Sequence, residues 1–154
     1  MGVITKFYEA FANRDAETMV ALYSNDVIFE DPAFGVLKGE HAKNMWRMLL
    51  DAPKSSDFKI VASNITEDWE SGTAHWEAFY NFGKQNRKVH NKIDASFTLK
   101  DGKIVQHIDS FDVYRWSKQA FGTTGVLLGW TPYFKNKLRK HVLKSLSTFE
   151  SKQV

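Results

Sequence analysis

Three polar side chains inside an apolar stretch could carry out acid–base chemistry. His107 and Asp109 lie two residues apart in the segment KIVQHIDSFDV, and Asn91 precedes them in RKVHNKIDASF. Alternate residues of a strand share a face and lie about 7 Å apart, so His107 and Asp109 could act through a shared water or substrate atom. We predict Asp109 as a base or water activator, His107 as the acid and Asn91 as an orienting donor.

A second carboxylate, Asp31, could take part in the same chemistry. It shares the face of Val27 and Phe29 in a short predicted strand that stops at Pro32. If Asp31 faces a cavity, burial raises its pKa and makes it a base near neutral pH. Two structural alternatives stay open. Asp31 could only cap the turn over residues 32–35, and Asp109 could form a satisfied polar network with His107 and a cross-strand partner.

The sequence does not favour metal chemistry. The chain has no cysteine, which excludes disulfides, thiolate zinc sites and cysteine nucleophiles. His75, His90 and His107 could suggest a metal site with Asp109 as a fourth ligand. Strand phase, however, places His75 and His90 on the face opposite His107. We therefore predict no metal and no cofactor.

A predicted hairpin over residues 87–116 positions these side chains, and its turn at Lys100-Asp101-Gly102 allows two registers. A two-residue Asp-Gly loop pairs Lys100 with Lys103 and sets Asp94 opposite Asp109, whereas a three-residue loop pairs Leu99 with Lys103. We favour the three-residue loop, because it avoids two like charges opposite each other and gathers the larger apolar side chains onto one face. That face carries Asn91, Ile93, Ala95, Phe97, Leu99, Val105, His107, Asp109, Phe111 and Val113.

The element order predicts an α+β fold. An apolar stripe formed by Ile4, Phe7, Tyr8 and Phe11 predicts a helix over residues 3–12, and Asp15 can cap a second helix over 16–24, in which Met19, Leu22 and Tyr23 repeat the pattern. A short strand, a helix over 40–50 and four longer strands with alternating apolar residues follow. The chain then has a glycine-containing loop and a last helix from Pro132, whose buried face is formed by Phe134, Leu138, Val142, Leu146 and Phe149. We predict a cone-shaped roll in which a strongly curved antiparallel sheet wraps over three N-terminal helices, with an appended C-terminal helix. A single domain would span 1–154, with a core roll over 1–116 and a C-terminal loop and helix over 117–154.

Such a roll encloses a conical cavity, and the aromatic content of 14% predicts that rings line it. The predicted lining residues are Phe7, Phe11, Phe34, Trp46, Trp76, Tyr80, Phe97 and Phe111.

Charge and hydropathy limit the partners. The segment from Pro132 onward contains six Lys/Arg and one acidic residue, Glu150, so its net charge is +5. The net charge of the whole chain is +3, so residues 1–131 carry −2. We interpret the basic helix as a solvated face and predict no nucleic-acid binding. The longest apolar run, residues 125–130, is too short to span a bilayer, and the N-terminus does not resemble a secretory signal. We therefore predict a cytoplasmic protein without membrane contact.

The order of elements, together with particular residues, resembles the nuclear transport factor 2-like superfamily, which includes SnoaL-like polyketide cyclases, ketosteroid isomerase, scytalone dehydratase and limonene epoxide hydrolase. The opening ANRDAETMVALYSNDVIFEDPAFG resembles that of the isomerase, whose base is the Asp of the Glu-Asp-Pro triplet, here Asp31. DGKIVQHIDSFDV resembles the hydrolase segment that supplies a water-activating Asp, here Asp109. The C-terminal part is similar to a bacterial branch of SnoaL-like proteins.

Neither catalytic set of these relatives is complete. The isomerase's tyrosine falls on Phe7, with Tyr8 one place away, and its protonated aspartate falls on Ala95. The hydrolase's arginine and second aspartate fall near Trp76 and Ala78 or, one residue off, on His75 and Glu77. The resemblance therefore implies the fold and a pocket for a small molecule more firmly than one reaction.

Three functions are consistent with the sequence. The leading hypothesis is a cofactor-free acid–base enzyme (isomerase, cyclase or hydrolase) acting on a small hydrophobic molecule. The alternatives are a non-catalytic binding protein for a lipophilic metabolite, and a dimerisation or scaffold domain whose cavity is filled by its own side chains. A structure with no void near Asp109 would favour the scaffold. The outer face, which carries Ile104 and Ile108, predicts a homodimer.

Overall fold

The computed structural model describes residues 1–51 and 57–153. The helices are α1 (Val3–Ala12), α2 (Ala16–Ala21), α3 (Glu40–Asp51), α4 (Val113–Phe121), α5 (Thr123–Leu128) and α6 (Pro132–Ser151). The strands are β1 (Tyr23–Asp31), β2 (Gly35–Lys38), β3 (Lys59–Glu67), β4 (Ser71–Phe82), β5 (Arg87–Lys100) and β6 (Lys103–Ser110). None of the described helices combines the length and the apolar character needed to cross a bilayer.

The strands form one curved sheet in the order β2-β1-β6-β5-β4-β3, and α1 to α3 pack on its concave face. This confirms the predicted α+β roll. One detail differs, because β1 runs parallel to β6 while the other neighbouring strands are antiparallel. A parallel pair needs a long crossover connection, which α3 and the strands from β3 to β5 provide.

Helix α1 buries the stripe that its sequence predicts, formed by Ile4, Phe7, Tyr8 and Phe11. Its first free N–H groups, those of Val3 and Ile4, donate to the carboxylate of Glu67 at 2.9 and 2.8 Å. These two bonds satisfy N–H groups that have no acceptor within the helix, and they hold the start of α1 against the end of β3.

Helix α2 is shorter than predicted. Asp15 caps it as expected, accepting a hydrogen bond from the N–H of Thr18 at 3.1 Å, but the helix ends at Ala21 and Tyr23 begins β1. Helical spacing had placed Tyr23 on the buried face of α2. Pairing with Ile104 of β6 draws Tyr23 into the sheet instead, where tertiary contacts outweigh a weak local propensity.

The turn between β5 and β6 corrects the predicted register. Asp101 and Gly102 both have positive φ, 51° and 76°, which is the conformation of a two-residue type I′ turn. Lys100 therefore lies opposite Lys103, and the three-residue loop that we favoured is wrong.

A bulge after the turn shifts the pairing by one residue. Thr98 pairs with Gln106, so Asp109 lies opposite Ala95 and not opposite Asp94. The extra residue restores the phase that the three-residue loop would have given, because a shift of one inverts every following side chain. His107 and Asp109 are therefore buried, as predicted.

The same bulge corrects the predicted outer face. Ile104 is fully buried, because it precedes the bulge and points inward. Val105, predicted to face inward, is only partly buried. The apolar outer surface is smaller than expected, and the homodimer stays a prediction.

The chain after β6 is helical where a continued strand and a loop were predicted. The strand ends at Ser110, and Asp112 caps α4 by accepting from the N–H of Arg115 at 3.0 Å. The predicted boundary at residue 116 falls inside α4. The glycine-containing segment forms α5.

Helix α6 packs against α4 near its start and against α3 near its end. Phe134, near its start, meets the ring of Phe121 with centroids 5.6 Å apart. Leu146 is buried in the core. Near its end, Glu150 contacts the side chains of His41 and Asn44 on α3.

Candidate active site

A chain of hydrogen bonds crosses the core and ends on Asp109. The Nε1–H of Trp46 donates to the hydroxyl of Tyr23 at 2.8 Å, and that oxygen lies 2.7 Å from Nδ1 of His107. Nε2 of His107 lies 2.9 Å from Oδ1 of Asp109. A carboxylate accepts only, so Nε2 carries the hydrogen and the hydroxyl of Tyr23 donates to Nδ1.

Asp109 keeps one oxygen free. Its Oδ1 accepts from His107 and, at 3.3 Å, from the Nε1–H of Trp76. Within the described part of the chain, Oδ2 has no hydrogen-bond partner. Asp109 is thus held in one orientation while half of its accepting capacity is unused.

The hydroxyl of Tyr8 is buried near Asp109 and is likewise unpartnered among the described residues. Burial raises the pKa of Tyr8 well above its usual value, and the charge of Asp109 raises it further. A buried hydroxyl without a partner is costly, so this donor marks a position where a bound atom would be stabilised.

Asp31 lies beside Asp109 because β1 and β6 are parallel neighbours. Phe29 pairs with His107, and two residues further along each strand the same register sets Asp31 next to Asp109 on the same face. Adjacent strands lie about 4.8 Å apart. Oδ1 of Asp31 accepts the backbone N–H groups of Ala33 and Phe34 at 2.9 and 2.6 Å.

Asp31 combines the capping role and the buried environment that the sequence left as alternatives. Burial raises its pKa to about 7, and the charge of Asp109 contributes to that rise. The N–H groups of Phe34 and Ala33 and the Arg139 guanidinium act in the opposite direction. Oδ2 of Asp31 has no hydrogen-bond partner among the described residues.

Aromatic rings pack tightly around this polar chain. The ring of His107 lies 4.2–6.1 Å, centroid to centroid, from those of Phe7, Tyr23, Phe29, Trp46 and Phe97. Two shallow pockets in the described structure lie elsewhere, one between α2, α3 and the end of α6, the other along α1 and α2. Neither pocket is lined by any of the residues that the sequence predicted to line a cavity. Around His107, aromatic rings fill the space where the conical cavity was predicted.

The model of the SnoaL-like domain family matches residues 4–107, a segment that contains α1 from its second residue, α2, α3, β1 to β5 and β6 as far as His107. The chain belongs to the SnoaL-like family. No curated protein sequence matches it.

Solved structures with this fold belong to nuclear transport factor 2-like proteins. A Catenulispora acidiphila protein with a ketosteroid isomerase-like fold, solved with trimethylamine, superposes with a TM-score of 0.67 at 14% identity, covering 84% of this chain and 97% of its own. A Mycobacterium tuberculosis epoxide hydrolase of the limonene epoxide hydrolase type superposes with a TM-score of 0.59 at 22% sequence identity, covering 82% of this chain and 88% of its own. A Burkholderia pseudomallei protein of the nuclear transport factor 2-like (NTF2-like) type superposes with a TM-score of 0.63 at 17% identity, covering 77% of this chain and 95% of its own. At these identities the likeness establishes the fold.

The predicted lining residues of this SnoaL-like domain occupy three environments. Phe7, Phe11, Phe34, Trp46, Trp76 and Phe97 are buried in the main core. Phe111 is only partly buried, after the end of β6. Tyr80 lies between the main core and a smaller cluster, where its hydroxyl accepts from Nε1–H of Trp116 at 2.8 Å.

Asn91 is not brought to the pair. It lies opposite Ala78 and four residues from Ala95, the residue that faces Asp109. Four residues of strand correspond to about 13 Å. The predicted orienting role of Asn91 therefore has no geometric support, and the donors that orient Asp109 are His107 and Trp76.

His75 and His90 lie on the outer face of the SnoaL-like sheet, as strand phase predicts. His75 bonds Asp94 through Nδ1 at 2.9 Å and Glu77 through Nε2 at 3.1 Å, and His90 also bonds Glu77. The hydrogen bond with Asp94 is the main cause of the raised pKa of His75. No group of three or more metal-ligating side chains is arranged around a common point in the described residues.

Sequence reasoning missed two tyrosines of the site. Tyr8 was predicted only as part of the buried stripe of α1 and as the neighbour of Phe7, and Tyr23 was assigned to a helix. No local pattern distinguishes them from core residues, because their roles depend on which strands pair. The alternation from Tyr23 to Val27 and Phe29 was the one available signal.

Proposed function

We propose that this SnoaL-like domain is a cofactor-free enzyme that uses Asp31 and Asp109 as an acid–base pair on a small hydrophobic molecule. The reaction class is isomerisation, cyclisation or water addition, each of which needs a proton moved at carbon or oxygen. One observation carries the proposal: two carboxyl groups lie side by side on parallel strands, and the pKa of Asp31 is about 7.

The two carboxyl groups have different roles in this mechanism. Asp31, with a pKa near neutrality, both accepts and returns a proton at physiological pH. Asp109, oriented by His107 and Trp76, presents its free Oδ2 to a water or to an acidic C–H. The hydroxyl of Tyr8 supplies a donor for a substrate oxygen.

His107 is a positioning residue in this proposal and not the acid predicted from sequence. Both of its ring nitrogens are engaged, one by Tyr23 and one by Asp109. Protonating a substrate would require it to break one of these buried bonds. Its function is to fix the orientation of Asp109 and to connect it to the tyrosine and Trp46.

The aromatic surroundings indicate the substrate class. The walls near the carboxyl pair are Phe and Trp rings, which favour a compact apolar molecule with one polar atom. Because rings fill the centre, we propose that the substrate binds at the Asp31 end, where Arg139 of α6 donates to the backbone oxygens of Pro32 and Ala33.

Mass spectrometry can test the enzyme without knowing the natural substrate. The full chain is incubated with styrene oxide in ¹⁸O-labelled water and, separately, with a β,γ-unsaturated cyclic ketone in D₂O. Formation of labelled diol, or deuterium incorporation beside the carbonyl, identifies the reaction. We expect Asp31→Asn and Asp109→Asn each to lower the rate by about 100-fold or more.

The matched control is Asp94→Asn, which changes an exposed carboxylate on the outer face of the same sheet. Its rate should equal that of the unmodified chain. An Asp109→Asn variant that stays folded and retains full rate would overturn the assignment.

A second candidate is a non-catalytic domain, either a binding protein or a scaffold with a filled interior. The packed rings around His107 favour it. It predicts no product from either probe, and unchanged binding of an apolar reporter such as 1-anilinonaphthalene-8-sulfonate in Asp109→Asn. Location in the cytoplasm stays a prediction under both candidates.

A further inference from the structure

The C-terminal part of the chain exposes an apolar surface. We name it the α5 patch; it consists of Val126, Leu127, Leu128, Trp130 and Tyr133. Leu127, Trp130 and Tyr133 are 64%, 63% and 68% exposed. Single exposed apolar residues are ordinary on protein surfaces, whereas a contiguous group marks an interaction site.

The packing of α5 forces this exposure. Gly125 lies against α4 so closely that a Cβ there would clash with the backbone oxygen of Ser117, and at Gly129 it would clash with the Ser117 hydroxyl. The helix therefore packs through its glycines and turns its leucines to solvent. The hydroxyl of Tyr114 donates to the backbone oxygen of Val126 at 3.0 Å and holds α5 in this orientation.

Basic side chains flank the patch along the chain, on α4 before it and on α6 after it, and the segment that carries them contains no acidic residue. Residues 113–149 contain seven Lys/Arg and no Asp or Glu. The seven are Arg115, Lys118, Lys135, Lys137, Arg139, Lys140 and Lys144, all exposed. Lys137 lies 6.0 Å from the ring of Tyr133, and Lys118 lies 4.6 Å from the ring of Tyr114.

We propose that the α5 patch and these basic residues form a docking surface for an anionic lipid bilayer. Leucine side chains would enter the acyl boundary, Trp130 and Tyr133 would lie at headgroup level, and the lysines would contact anionic headgroups. The charge is complementary to such a surface. The sequence-based expectation of no membrane contact considered a spanning segment, which peripheral docking does not require.

Two other occupants fit less well. A second copy of the chain would bring two positively charged surfaces together, which is repulsive. A nucleic acid would neutralise the lysines but would leave Leu127 and Leu128 without apolar contact. This inference is independent of the proposed catalytic function.

Vesicle flotation of the full chain tests the proposal. Vesicles of phosphatidylcholine alone are compared with vesicles that also contain phosphatidylglycerol, at low and high salt. We expect binding to the anionic vesicles only, weakened by salt. The double variants Leu127→Ser/Trp130→Ser and Lys135→Glu/Lys137→Glu should each reduce partitioning about tenfold or more.

Matched controls change the same residue types elsewhere. Trp69→Ser alters an indole that is 84% exposed in the turn between β3 and β4. Lys6→Glu/Lys100→Glu reverses two exposed lysines, one on α1 and one at the turn between β5 and β6, which is the end of β5 opposite the turn that approaches α5. Both should bind vesicles as the unmodified chain does. Circular dichroism and thermal unfolding verify that each variant is folded.

Tryptophan fluorescence gives a second readout. In Trp69→Phe, Trp130 is the most exposed remaining indole, since Trp46, Trp76 and Trp116 are buried. Its emission should shift to shorter wavelength with anionic vesicles and not with phosphatidylcholine alone. Three results would overturn the proposal: equal loss of binding in the controls, no binding to either vesicle, or binding to duplex DNA that the vesicles do not displace.

Discussion

The two faces of the sheet carry the same chemical pair in opposite surroundings. On the inner face His107 bonds Asp109, and on the outer face His75 bonds Asp94, both at 2.9 Å. The inner side chains are 0% and 4% exposed, and the outer ones are 27% and 85% exposed. Distance alone therefore says little about what each pair does.

The difference lies in what replaces water. An exposed ion pair gains little, because solvent already stabilises each charge. A buried pair has lost its water, and every remaining bond must come from protein. On the inner face Tyr23, Trp46 and Trp76 supply those bonds. We infer that the inner pair is costly to break and chemically oriented, whereas the outer pair is nearly neutral to stability.

Deleting each histidine should break the comparison most clearly. His107→Ala leaves Asp109 and Tyr23 with fewer buried partners and opens a cavity, so we expect a loss of about 3–5 kcal/mol in the free energy of unfolding. His75→Ala should cost less than about 1 kcal/mol. Urea denaturation followed by circular dichroism measures both, and equal losses would refute the distinction.

Asp31 provides a pH test of the inner face. Its pKa is about 7 in the folded protein against 3.8 as the reference value. The folded protein therefore keeps a proton that the unfolded chain has lost, and stability falls as pH rises from about 4 to 7 and then levels off. Asp31→Asn has no carboxyl group to titrate, so above pH 7 its free energy of unfolding should be about 2–4 kcal/mol higher than that of the unmodified chain.

The measurement is urea denaturation of both proteins across that pH range. The difference between them should vanish below about pH 4, where the unfolded-state carboxyl is also protonated. A constant difference at all pH values would mean that Asp31 is not titrating near neutrality. Asp26→Asn, at an exposed position of β1, is the control.

Two tyrosines sharpen the distinction between structural and functional hydroxyls. Tyr23→Phe removes the oxygen that joins Trp46 to His107 and should cost about 1–3 kcal/mol. Tyr8→Phe removes a hydroxyl without a partner, so stability should change by less than about 0.5 kcal/mol. If Tyr8 binds a substrate oxygen, Tyr8→Phe should nevertheless lower turnover in the mass-spectrometric assay.

The outer pair gives the smallest expected effect. A double-mutant cycle of His75→Gln and Asp94→Asn should yield a coupling below about 1 kcal/mol that decreases with salt. Because the pKa of His75 is raised in the folded protein, this stabilisation is complete below the unfolded-state pKa and is lost as pH rises through the folded-state pKa. A large, salt-insensitive coupling would contradict the comparison.

Much of the fold followed from short-range patterns. The apolar stripe of α1, the cap at Asp15, the alternation of β4 and β5 and the apolar positions of α6 predicted their elements correctly. The placement of His107 and Asp109 inside, with His75 and His90 outside, also followed from alternation. The register of the central hairpin could not be derived from alternation, because an Asp-Gly turn is compatible with loops of two lengths.

The parts that failed depend on partners distant in the chain. Tyr23 belongs to β1 because it pairs with Ile104 of the neighbouring strand β6. Asn91 lies outside the site because it is four residues along β5 from Ala95, the residue that faces Asp109. The segment around Gly125 became a helix because Ser117 of α4 offers a surface that only glycine can approach. None of these partners is visible in a local window.

The sequence by itself determined which face most strand residues occupy, because side chains alternate with a period of two; Ile104 and Val105, next to the bulge in β6, are the exceptions. Only the tertiary structure decided that β1 runs parallel beside β6, and this pairing sets Asp31 next to Asp109. The physical reason is that alternation is a property of one strand. The neighbour of a strand is selected by burying the apolar surface of the whole domain.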